Sequence, residues 1–105
     1  MAEGLASTRP FTIMVLHKGP RFDTSPETMA VIREHGRRNF ALRAAGLLRI
    51  VCPVNDGTDM AGIGVWDADP DTVTRIYQDD PAVQQGILTC EIHASRSFPG
   101  DSLPS

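Results

Sequence analysis

The sequence predicts a two-layer α+β domain of order β-α-β-β-α-β, a four-stranded antiparallel sheet carrying two helices on one face. Three observations carry this prediction. Two stretches open with the same helix-start device, a side-chain cap followed by proline and an acid: Ser25-Pro26-Glu27 and Asp69-Pro70-Asp71. Around them lie four runs rich in β-favouring and apolar residues, at 11–17, 47–52, 61–67 and 87–93. Before the last run, Pro81 stops the second helix near residue 79 and Gly86 supplies a second break.

Taken in order, residues 11–17 form a strand bounded by Pro10 and by Lys18-Gly19-Pro20, ending on His17. A loop to Ser25 leads into the first helix. At about 100° per residue, Val31, Leu42, His35, Asn39, Ile32, Gly36, Met29 and Phe40 fall in one arc, whereas Arg33, Glu34, Arg37 and Arg38 lie outside it. His35 is thus expected on the buried side. Gly46 closes this helix as the residue after its cap. The strand 47–52 stops at Pro53, and the polar turn Asn55-Asp56-Gly57-Thr58-Asp59 makes a hairpin with 61–67. Gly62 and Gly64 leave that strand bare on one face, where something is expected to approach closely. Val73, Ile76 and Tyr77 give the second helix its apolar spacing. In the last strand Thr89, Glu91 and His93 form a polar row opposite Leu88, Cys90 and Ile92. The order is the split βαβ, or ferredoxin-like, arrangement. Its second sheet face has no helix to cover it, so a second copy of the chain is the physical expectation for a partner.

The 105 residues fit one domain, with 1–10 as a lead-in, 11–94 as the folded unit and 95–105 as a turn-rich tail. No apolar run approaches the roughly 18 residues needed to span a bilayer, and the N-terminus lacks the apolar core of a signal peptide. Cytoplasm is the expected compartment, and no membrane is expected as a partner. A net charge of −3 argues against a general grip on nucleic acid, which needs a broad basic surface. Cys52 and Cys90 lack metal-ligand spacing and read as reduced, buried small apolar residues. In this topology they fall on opposite sheet edges, about 14 Å apart, too far for a disulfide.

Three segments carry a likeness to known proteins: Leu16-His17-Lys18-Gly19-Pro20; His35, followed by Gly46 and then Pro53; and Asp80-Pro81-Ala82-Val83-Gln84-Gln85-Gly86-Ile87-Leu88-Thr89. On these the chain resembles the YCII-related (YciI-like) family of the dimeric α/β-barrel superfamily. The Asp-Pro-x-Val-x-x-Gly string is the most specific of the three. The resemblance implies a homodimer with sheets stacked face to face, a pocket in each subunit, and a His–Asp pair at its centre, matched here by His35 and Asp80. Cys52 stands where the family commonly has a glycine, Cys90 where an aromatic is frequent, and Ala94-Ser95 where a Pro-Trp pair often closes the strand.

An imidazole held by a carboxylate is a competent general acid/base, because the acid fixes the tautomer and stabilises the imidazolium. His35 and Asp80 are the candidate catalytic pair, expected to meet across a shared cavity. The plainer alternative is a hydrogen-bonded core histidine beside an aspartate that turns the chain. His17, Lys18 and Arg21 are candidates for orienting an anionic or phenolic substrate, against the alternative of a solvated loop. Trp66 and Tyr77 read as core or dimer-interface residues. No cofactor or metal is implied: Gly62-x-Gly64 lacks the third glycine of a phosphate loop, and His17, His35 and His93 have no ligand spacing. The expected function is cofactor-independent proton transfer on a small cyclic, aromatic or lactone-like molecule, of isomerase, lyase or dehydrochlorinase type. The alternative is a dimer that binds a small molecule or partner without turning it over.

Overall fold

A computed structural model of the chain describes residues 8–104. Its elements are β1 (Arg9–Lys18), α1 (Pro26–Ala44), β2 (Leu48–Pro53), β3 (Met60–Trp66), α2 (Pro70–Gln78), α3 (Pro81–Gln84) and β4 (Leu88–Ser97). The antiparallel sheet runs β2-β3-β1-β4, so β2 and β4 are its edges, as the split βαβ topology requires. Ser25 and Asp69 cap α1 and α2 by accepting the amides of Thr28 and Thr72, with proline next in each case. Gly46 follows the end of α1 at φ 82°, the left-handed geometry that favours glycine.

Two boundaries differ from expectation. Arg9 and Pro10 belong to β1 rather than to a lead-in, and β4 runs on to Ser97 rather than stopping near 93. The two extensions stabilise each other: Arg9 pairs with Ser97 and Pro10 with Arg96 in the β1–β4 ladder. Arg96 also donates to the Thr8 hydroxyl at 2.5 Å and the Thr8 carbonyl at 3.0 Å. Residues 1–7 of the expected lead lie outside the described residues. A further helical turn, α3, occupies what reads in the sequence as a plain connection.

The helix-covered face buries Met14 and Leu16 of β1, Leu48 of β2, Trp66 of β3, and Val73 and Tyr77 of α2. Residues such as Met14, Leu48 and Val73 each contribute roughly 1.5–3 kcal/mol by this burial. Trp66 and Tyr77 meet edge to face, with ring centroids 5.5 Å apart, which places both in the core. The bare ribbon at Gly64 is filled from within the protein. A Cβ there would stand 2.8 Å from Met14 Cε and 3.1 Å from both Leu48 Cδ1 and Trp66 Nε1.

The other face carries no helix. Register pairs Ile13 with Val65 and with His93, Val15 with Ile63 and with Glu91, His17 with Thr89, and Cys52 with Ile63. Paired residues share a face, so an apolar field on β1, β2 and β3 borders a polar row on β4. Cys52 is exposed on this field, a correction to its expected burial, because β2 is an edge and no helix lies over it. Both cysteines are free. Among the described residues no helix is long and apolar enough to cross a membrane.

Candidate functional site: a buried His35–Asp80 pair

Asp80 is positioned by the Asp80-Pro81 step. Its backbone amide closes α2 on the Tyr77 carbonyl at 3.1 Å, while its side chain caps α3, Oδ1 accepting the Ala82 amide at 2.9 Å. The same step therefore ends one helix and starts the next: Pro81 cannot continue α2 but suits the first position of α3. Capping leaves Oδ2 free to turn inward. It contacts His35 Nδ1 at 2.7 Å and lies 3.6 Å from Arg38 Nη1.

His35 comes from the middle of α1, on its buried face, and its other ring nitrogen, Nε2, faces Asn39 Nδ2 at 3.2 Å. His35, Arg38 and Asn39 follow the i, i+3, i+4 spacing that puts three side chains on one helix face. Arg38 also donates to the Ile76 carbonyl at 3.3 Å, tying α1 to α2. His35 is 8% exposed and Asp80 2%. Burial pushes the Asp80 carboxyl up. The His35 hydrogen bond and charge, the Ala82 amide and the Arg38 guanidinium together outweigh it and hold the group below its ordinary value. An ionised Asp80 accepts, so Nδ1 carries a proton; when the ring is neutral, Nε2 then presents a lone pair to the Asn39 amide.

Polar atoms collect around the pair. Arg38 Nη1 and Asn39 Oδ1 are buried without a hydrogen-bond partner among the described residues. Burial raises Tyr77, with the Cys90 and Asp80 charges adding to it. Burial likewise pushes the Cys90 thiol up to about 12, with Asp80 and Glu91 adding. The Asp80 charge is thus felt at both Tyr77 and Cys90, two wall residues of a cavity of about 380 Å³ between α2 and β4. Pro20, Val83, Leu88 and Ile92 also line it.

His35 and Asp80 meet, as expected, at the end of α2. Neither residue lines this cavity or a second one, of about 440 Å³, at the end of α1. Tyr77 and Cys90, which feel the Asp80 charge, and Val83 of α3 do line the α2–β4 cavity. His17, Lys18 and Arg21 do not gather into one group. His17 Nε2 meets Glu91 Oε1 at 2.5 Å on the open sheet face, with Asp59 Oδ2 3.8 Å from its Nδ1. Lys18 donates to the Thr58 carbonyl at 3.1 Å and sits over the Phe22 ring at 5.4 Å. Arg21 lays its stem against Gly86, where a Cβ would come within 3.3 Å of its Cγ and Cδ. Glu91 also contacts His93 Nε2 at 3.2 Å. Among the described residues no group of three or more His, Cys, Asp or Glu is placed to hold a metal ion.

No family model matches the chain, and no curated protein matches it. Among solved structures it is similar to a dimeric protein of unknown function with a ferredoxin-like fold from Bacteroides fragilis. The TM-score is 0.46 at 18% identity, covering 80% of this chain and 94% of that one.

Proposed function

We propose that the chain is a small, cofactor-independent homodimer of the YCII-related kind. In this proposal it transfers protons on a small cyclic, aromatic or lactone-like molecule, as an isomerase, lyase or dehydrochlorinase does. The observation that carries the reading is the 2.7 Å contact between Asp80 Oδ2 and His35 Nδ1. It fixes the tautomer that leaves Nε2 as the base, and Asp80 stabilises the imidazolium formed when Nε2 takes a proton. Arg38 Nη1 lies beside the pair without a hydrogen-bond partner and is the donor available to an oxyanion developing on the substrate. Substrate reaches Nε2 by displacing the Asn39 amide; in the protonated state Asn39 turns its orphaned Oδ1 to accept from Nε2. The apolar field of Phe11, Ile13, Val15, Ile63 and Val65 on the open sheet face supports face-to-face pairing of two copies.

A second reading, binding without turnover, is favoured by the absence of His35 and Asp80 from the lining of the two cavities described above. There His35 and Asp80 would act only as a tie between α1 and α3. A panel of enols, lactones and hydroxylated or chlorinated aromatics separates the two, with product formation and solvent deuterium exchange followed by NMR. Proton transfer requires that His35→Asn and Asp80→Asn lose turnover while remaining folded by circular dichroism. Wild-type turnover in His35→Asn would overturn the acid/base assignment. Ligands that bind wild type and both variants alike, with no turnover by any, would establish the second reading instead.

A further inference from the structure

The cavity of about 440 Å³ at the C-terminal end of α1 has no part in the reading above, and its lining is chemically specific. Two arginines, Arg43 and Arg49, share it with Phe40 and the Gly46 backbone. Neither arginine makes an ion pair or side-chain hydrogen bond among the described residues. A cation near a helix C-terminus is ordinarily explained by the last carbonyls, but here those of Ala41, Leu42 and Arg43 are satisfied by the backbone. Ala45, Gly46 and Leu47 donate to the Ala41, Arg43 and Leu42 carbonyls at 3.0–3.1 Å.

Arg49 has a second peculiarity. The β2–β3 register pairs Leu48 with Trp66 and Ile50 with Val65, leaving Arg49 as the extra residue of an irregularity in the edge strand. Such bulges re-aim a side chain out of the regular alternation. The re-aimed guanidinium lies over Gly46, where a Cβ would come within 3.8 Å of Nη1. Phe40, on the same wall, is 66% exposed. The volume is in the range of small-molecule sites.

We infer that this hollow binds a phosphate monoester carried on a flat ring, with Arg43 and Arg49 on the phosphate and Phe40 against the ring. Two forked guanidiniums suit a dianion with several acceptor oxygens better than a single carboxylate, and an exposed ring face suits stacking. Isothermal titration of the full chain at low salt, with AMP, inorganic phosphate, adenosine and benzoate as separate probes, tests the site. AMP should bind at least about tenfold more tightly than each of the other three. Arg43→Gln with Arg49→Gln should weaken AMP about 100-fold, and Phe40→Ala should bring AMP down to the affinity of phosphate. All three side chains are exposed, and an unchanged amide spectrum verifies that the variants fold. No binding by about 10 mM AMP, equal affinity for AMP and phosphate, or AMP affinity unchanged in the double arginine variant would each overturn the assignment.

Discussion

Two histidines in this chain meet carboxylates at almost the same distance, and their surroundings make them different objects. His35 and Asp80 touch at 2.7 Å with side chains 10% and 3% exposed; His17 and Glu91 touch at 2.5 Å with side chains 23% and 53% exposed. The exposed pair competes with water and salt, so its short contact carries little stability. The buried pair cannot exchange partners with water, so removing one member strands the other. Contact length alone does not rank the two. Asp80 also holds three jobs at once, ending α2, capping α3 and orienting His35, whereas Glu91 accepts from His17 and His93 and shapes no backbone.

The largest expected effect that separates them is Asp80→Ala, which removes the α3 cap and leaves His35 and Arg38 facing an empty position. A loss of about 2–4 kcal/mol in urea unfolding is expected. His35→Asn comes next, at about 1–3 kcal/mol, because Asp80 keeps its cap but loses its main polar partner. The third effect is in pH. Asp80 is held below its ordinary value in the folded chain, so its contribution is fully present above the ordinary carboxylate range and is lost as pH falls through and below about pH 4. The exposed carboxylates Asp23, Asp56, Asp69 and Glu91 shift the same way, so the acid limb of Asp80→Asn should be shallower than wild type without becoming flat. The smallest effect is Glu91→Gln, which should leave the unfolding midpoint at neutral pH unchanged. A midpoint shift there as large as that of His35→Asn would break the contrast between the two pairs.

The fold was legible because its punctuation is local. Ser25-Pro26, Asp69-Pro70 and Gly46 each act through their own backbone, and the alternation in β1, β3 and β4 needs only the next residue but one. What was not legible depends on partners far along the chain. The ends of β1 and β4 contain Pro10, Ala94 and Arg96, poor strand signals individually, and became strand because they pair with each other. His35 could be assigned to the buried face from its helical phase, and Asp80 to the end of a helix from Pro81. The start of α3 was missed although Asp80-Pro81 repeats the step that opens α2, because the following Val83-Gln84-Gln85-Gly86 is too short to display a period. Arg38 falls outside the apolar arc and is drawn in by a carboxylate 42 positions later. Asn39 shares the arc of His35, whereas a spacing of three from His35 was the signal that could have nominated Arg38. The α2–β4 cavity brings Tyr77 and Cys90 together from two different elements, a relation no single stretch of sequence contains.

The loop after β1 and the turn before β4 are zipped at backbone level. Gly19 donates to the Ile87 carbonyl at 2.7 Å and Arg21 to the Gly86 carbonyl at 3.0 Å. A methyl group on Gly19 would overlap the Gly86 oxygen, only 2.3 Å from its Cβ position. Two pieces of chain more than sixty positions apart therefore behave as one tailored seam, with Asp80 stitched a few residues upstream of it. Any lineage that lengthens or reshapes one side must recut the other, so change in these loops should be inherited in matched pairs, with the placement of the buried acid as what is kept.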